Sequence, residues 1–208
     1  MAWPGPPAPA RIETDRLVLR CYEPDDAPLL KDATDSSLDH LRTWMPWVDK
    51  EPETVEQKAA LIEGFRSSFA AAEDFTYGIF DPGERRQLGG TGLHPRVGPG
   101  GLEIGYWIRA DATRRGYATE VTAALIRVAF EACEADRVEI RIDPANTSSL
   151  GVPRNLGVPV EATLRRRLQS RPGEPLRDVV IHTLFREEYD PAIAPPLRAF
   201  GADGERLL

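Results

Sequence analysis

Apolar residues recur along this chain at two spacings, every second position and every third or fourth, and each spacing marks an element. Leu17 and Leu19 alternate with Arg16, Val18 and Arg20, which predicts an early strand within Arg11 to Arg20. Pro24 among acidic residues marks a helix start within Glu23 to Asp35. Ser36 to Asp49 gathers His40, Leu41, Trp44, Met45 and Trp47 around Pro46, as a short helix with a buried loop or as an aromatic wall. Thr54 and Gln57 have capping-box spacing, and Leu61, Ile62, Phe65 and Phe69 continue it as a helix from about Thr54 to Ala72. Strands are predicted at Phe75 to Phe80 and Gln87 to His94, around the turn Asp81-Pro82-Gly83, and then at Gly101 to Arg109.

The period then lengthens. Ala118, Val121, Leu125, Ala129 and Cys133 predict an amphipathic helix beginning near Tyr117. Val138, Ile140 and Ile142 alternate with Glu139 and Arg141 as a strand. A weaker helix follows at Ser149 to Leu156, where Gly151 and Pro153 oppose helix formation. Strands at Val160 to Leu168 and Val179 to Phe185, around Arg171-Pro172-Gly173, end the pattern. The order predicts a mixed α/β (α+β) layer with a largely antiparallel sheet. Residues 1–10, rich in Pro and Ala, read as a disordered leader, and residues 190–208 as a loose tail around a single domain at 11–189.

Composition narrows the function. A net charge of −7 argues against a general nucleic-acid binder and suits a cationic acceptor. No apolar run is long enough for a membrane span, and no secretory signal pattern opens the chain. Two cysteines exclude a disulfide framework, and with three scattered histidines they have no metal-ligand spacing, so a cytoplasmic protein without a metal is expected.

The stretch that carries chemistry is Glu103 to Glu120, EIGYWIRADATRRGYATE. A strand ends near Arg109, a turn holds Arg114, Arg115 and Gly116, and a helix starts at Tyr117. Free N–H groups at a helix start attract anions, a glycine lets main chain approach a phosphate, and two arginines add charge. That combination describes a diphosphate cradle, although the same residues also suit a solvated turn.

Thr113-Arg114-Arg115-Gly116-Tyr117-Ala118 resembles the acetyl-CoA loop of the GNAT N-acetyltransferases, [QR]-x-x-G-x-[GA], with Thr113 in place of the usual Gln or Arg. Thr14 to Arg20 (TDRLVLR), Leu38 to Trp47 (LDHLRTWMPW) and Asn146 to Val158 (NTSSLGVPRNLGV) resemble, in order, segments of the RimJ/RimL branch. The resemblance implies the GNAT fold, a mixed, mostly antiparallel sheet splayed at its centre and flanked by helices. It implies acetyl-CoA as co-substrate, held by Arg114, Arg115, Gly116, Tyr117, Ala118 and Thr119. Main chain at Trp107, Ile108 and Arg109, together with Asn146 and Asn155, is then expected to contact the rest of the cofactor. Glu103 is implied as general base and Ser149 as proton donor to the departing thiolate, since Pro153 stands where many relatives of that fold carry a proton-donating Tyr. Trp44 and Trp47 are expected beside the acceptor.

The acceptor implied is a primary amine, either a protein N-terminus or a small molecule such as an aminoglycoside. Succinyl transfer and a non-catalytic acyl-CoA-binding module stay open. So do a monomer and a homodimer. The run Arg165 to Arg167 reads as a solvated edge, and His182 as a core histidine.

Overall fold

Thr14 breaks the first predicted strand in two. Its Oγ1 accepts from the Leu17 N–H at 3.1 Å, and its own N–H reaches the Leu17 carbonyl at 2.9 Å. The resulting turn separates β1 (Arg11–Glu13) from β2 (Val18–Arg20). The computed structural model describes residues 2–168 and 173–208. Arg171 and Pro172 of the predicted hairpin turn lie outside them.

The remaining strands are β3 (Phe75–Phe80), β4 (Gln87–His94), β5 (Gly101–Ile108), β6 (Arg137–Ile142), β7 (Val160–Leu168), β8 (Arg177–Phe185) and β9 (Arg198–Phe200). Among the described residues they form one sheet in the order β7-β8-β6-β5-β4-β3-β2-β1-β9. Each neighbouring pair is antiparallel except β5–β6, which is parallel. The helices are α1 (Ala27–Asp35), α2 (Leu38–Arg42), α3 (Val55–Ala70), α4 (Tyr117–Glu131) and α5 (Thr147–Asn155). Thr54 and Gln57 make the expected capping box at the start of α3.

Strand alternation divides the core between two faces. Leu93, Leu102, Ile104, Val138 and Ile140 pack with Val121, Leu125 and Val128 of α4. Val18 and Phe80 point to the other face, against Tyr22, Ala27 and Leu30 of the α1 region and Ile62 of α3. Burying this area supplies most of the fold's stability. No helix among the described residues is long and apolar enough to cross a membrane.

Both ends of the chain depart from expectation. Residues expected to be a disordered leader are packed: Trp3 is buried, its indole N–H donates to the Cys133 carbonyl at 3.2 Å, and Tyr77 donates to the Pro9 carbonyl at 2.8 Å. A buried indole offsets the modest ordering cost of a proline-stiffened segment. The expected loose tail contributes β9, which pairs with β1 and buries Leu197 and Ala199.

Candidate active site

The parallel β5–β6 pairing is short. Gly101, Leu102 and Glu103 pair with Arg137, Val138 and Glu139, and then the strands part. β5 continues to Ile108 and β6 to Ile142 with no pairing between them, so a gap opens beside Ile104 to Ile108.

Antiparallel alternation determines which groups line this gap. The Arg109 N–H is bonded to the Leu88 carbonyl at 2.8 Å. Without a bulge between β4 and β5, Trp107 directs its main-chain groups and Arg109 its N–H to β4, and the Arg109 carbonyl accepts from the Ala112 N–H at 2.9 Å, while Tyr106 and Ile108 direct their main-chain groups to the gap. The expectation for Ile108 therefore fits the geometry, and the expectation for main chain at Trp107 and Arg109 is corrected by one residue of register, in favour of Tyr106. The Arg109 side chain is buried in ion pairs with Asp32 and Asp111, which tie α1 to the end of β5.

The gap leads to the start of α4. Gly116 is its N-cap with φ +80°, and no side chain caps the helix. The first bond into the helix runs from the Glu120 N–H to the Gly116 carbonyl, so Tyr117, Ala118 and Thr119 precede it with unsatisfied donors. Arg114 also has positive φ, +59°, and such alternation around Arg115 turns successive N–H groups toward one concavity. Arg114 and Arg115 are exposed. A third arginine, Arg16, reaches this loop from the β1–β2 turn. It donates to the Arg115 carbonyl at 3.1 Å, pairs with Glu120, and stacks over the Tyr117 ring at 5.1 Å. Thr14 donates to the other Glu120 oxygen at 2.6 Å. These donors fit a diphosphate, and the gap fits the extended arm of acyl-CoA.

Across the gap, α5 begins at Asn146, whose side-chain oxygen accepts from the Ser149 N–H at 3.1 Å. Pro153 lies inside the helix and has no N–H for the carbonyl of Ser149, four residues back. Tyr106 supplies the missing donor, its hydroxyl reaching that carbonyl at 3.2 Å. Burial pushes the Tyr106 phenol up, so it remains a donor at neutral pH. Asn155 is exposed on the last turn of α5, at the opposite end from Ser149.

On the face away from α4, the Trp107 indole lies against Gly90 and the His94 ring against Gly92 and Gly105. A Cβ on Gly90 would meet the Trp107 indole at 2.5 Å, and one on Gly92 the His94 ring at 2.5 Å. Trp47 packs on Trp107 with ring centroids 5.9 Å apart and stays 38% exposed. Trp44 lines a cavity of about 330 Å³ with Arg42, Met45, Glu174 and Arg177. Glu103 stands at the apex of the gap. Arg96 donates to both its oxygens, at 2.9 and 2.8 Å.

Neither cysteine is suited to carry an acyl group. Burial pushes the Cys133 thiol up to about 12 and raises that of Cys21. His182 is buried with Nδ1 at 2.9 Å from the Val158 carbonyl, as a core histidine. Among the described residues no cluster of His, Cys, Asp and Glu has the form of a metal site.

Sequence reading missed Arg16, Tyr106 and His94. Arg16 lies within a quoted motif but its partner is distant in sequence. The glycines of β4 were the available signal for a close approach over the strand.

A splayed sheet with an uncapped glycine-led helix at the mouth of the gap defines an acyl-CoA-dependent N-acetyltransferase. The family model described as "Acetyltransferase (GNAT) domain" matches residues 16–158, and the chain belongs to this family. It is 26% identical over 178 residues to a Bacillus subtilis protein provisionally named ribosomal N-acetyltransferase YdaF, covering 85% of this chain and 94% of that one. Mycobacterium smegmatis RimJ, solved in complex with a CoA-disulfide, superposes with a TM-score of 0.73 at 25% identity, covering 90% and 91% of the two chains. RimL, solved with coenzyme A, shares the fold with a TM-score of 0.74 at 17% identity, covering 85% of this chain and 97% of that one.

Proposed function

We propose that the chain moves an acetyl group from acetyl-CoA to the α-amine of a protein N-terminus by direct attack, without an acyl-enzyme. The observation that carries this reading is the gap beside Tyr106 and Ile108, which runs from Glu103 to the uncapped start of α4. The relative named as a ribosomal N-acetyltransferase supports a protein acceptor.

The start of α4, with Arg114, Arg115 and the main chain of Gly116 to Thr119, holds the diphosphate. Main chain at Ile108 and Tyr106 orients the thioester and binds charge developing on its oxygen. Asn146 shapes the far wall. The amine arrives mostly protonated, since a primary amine titrates near a pKa of about 10. It must lose a proton before it attacks, and Glu103, at the apex, is the carboxylate that the family resemblance offers for this, directly or through water. Ser149, on the first turn of α5, passes a proton to the departing thiolate. The site of action is the compartment where such N-termini are made, the cytoplasm.

Thiol release from acetyl-CoA and succinyl-CoA should be measured against peptides beginning with Ala or Ser and against aminoglycosides, with mass spectrometry to locate the added group. Acetyl on the peptide α-amine is the expected result. Turnover confined to aminoglycosides, or none with any amine despite CoA binding, would overturn the protein-acceptor reading.

A further inference from the structure

His94 ends β4 and stands opposite Glu103 in the β4–β5 pairing. Its Nδ1 is bonded to Asp74 Oδ1, while Asp74 Oδ2 accepts from Thr76 Oγ1 at 3.3 Å. A ring nitrogen that donates to a carboxylate carries the proton, which leaves Nε2 of the neutral ring with an open lone pair. The ring lies against the sheet, with Nε2 2.6 and 3.2 Å from where a Cβ on Gly92 and on Gly105 would sit. Nothing among the described residues donates to Nε2.

Building on the acetyltransferase reading, we propose that His94, oriented by Asp74, is the catalytic group that takes the proton of the incoming amine, with Glu103 holding the ammonium beside it. Arg96 already donates to both Glu103 oxygens, so protonating that carboxylate would sacrifice a charge-assisted pair. A proton on Nε2 instead creates an imidazolium flanked by the carboxylates of Asp74 and Glu103. The other charged groups facing this point are Arg96 and, on β6 beyond Glu103, Glu139 with its partners Arg137 and Arg141.

The protons balance. The ammonium gives one proton to Nε2 and attacks the thioester carbon with the freed electron pair. The C–S bond breaks with its pair on sulfur, and the nitrogen's surplus proton reaches that thiolate through Ser149 or water. The imidazolium then returns its proton to solvent.

The test uses the full chain, with alaninamide and an Ala-initiated peptide as acceptors. His94→Gln should lower kcat about a hundredfold while leaving acetyl-CoA affinity unchanged, and should remove the acidic limb of the kcat/KM pH profile. Asp74→Asn, a change to a positioning residue, should move that limb to lower pH, because the imidazolium loses a facing charge. Nitrogen NMR of the wild-type imidazole should show the Nδ1–H tautomer at neutral pH, a readout that needs no acceptor. Full turnover with an unchanged acidic limb in His94→Gln, or an Nε2–H tautomer in the wild type, would overturn the role of His94 alone. Failure of the wild type to bind acetyl-CoA would instead overturn the acetyltransferase reading on which it rests.

Discussion

Two helices begin near the gap, and they begin in opposite ways. α5 starts on Asn146, whose side chain satisfies the Ser149 N–H. α4 starts on Gly116 with no side-chain cap, and the donors of Tyr117, Ala118 and Thr119 are left without protein acceptors. A side-chain cap would stabilise α4 by about 1 kcal/mol. Its absence, together with three arginines and two positive-φ residues, marks α4 as the end that awaits an anion. The comparison teaches that an anion site at a helix start is made partly by withholding the cap that an ordinary start would carry.

The strongest way to break this contrast is Gly116→Val. A β-branched residue is strained at φ +80°, and its side chain enters phosphate space. Calorimetry should show acetyl-CoA affinity reduced about a hundredfold or more, a loss of about 2.7 kcal/mol; an unchanged affinity would remove the cradle. Arg16→Ala should weaken binding by about tenfold, because the loop loses its link to Glu120 and the Arg115 carbonyl. Arg16→Lys should recover little of it, since an ammonium cannot reproduce the forked contact. Raising the salt concentration should weaken acetyl-CoA binding by a few-fold through screening of exposed Arg114 and Arg115.

The smallest effect belongs to the other helix. Asn146→Ala should cost about 1 kcal/mol of stability in a denaturant titration, with acetyl-CoA affinity reduced much less than in Gly116→Val. Equal losses of affinity in the two variants would show that both helix starts grip the cofactor.

The start of α4 was legible in the sequence because its signals are local: a strand, an arginine pair with glycine, then a 3.6-residue apolar period. Strand periodicity likewise located β3 to β6, and the family motifs named Glu103, Asn146 and Ser149, which the fold brings to the edges of the gap. What stayed hidden depends on distant partners. Arg16 meets a loop 99 residues away, and His94 is oriented by an aspartate 20 residues back. The leader and tail looked polar or proline-rich within their own windows, yet Trp3 and Ala199 are buried by residues from elsewhere in the chain. Register decided the gap-lining groups, and a one-residue difference there turns a main chain from one neighbour to the other.

The hydroxyl of Tyr106 and the missing amide of Pro153 have a joint consequence. The carbonyl of Ser149 lacks its helical donor, and a hydroxyl from the neighbouring strand takes that place. Pro153→Ala would restore the helical amide and set it in competition with the phenol, while Tyr106→Phe alone would orphan the carbonyl. Combining them should relieve the penalty of the second, giving a coupling of roughly 1 kcal/mol in a double-mutant cycle. A proline that looks like damage to α5 thus leaves a docking point for the Tyr106 hydroxyl, which ties one bank of the gap to the other.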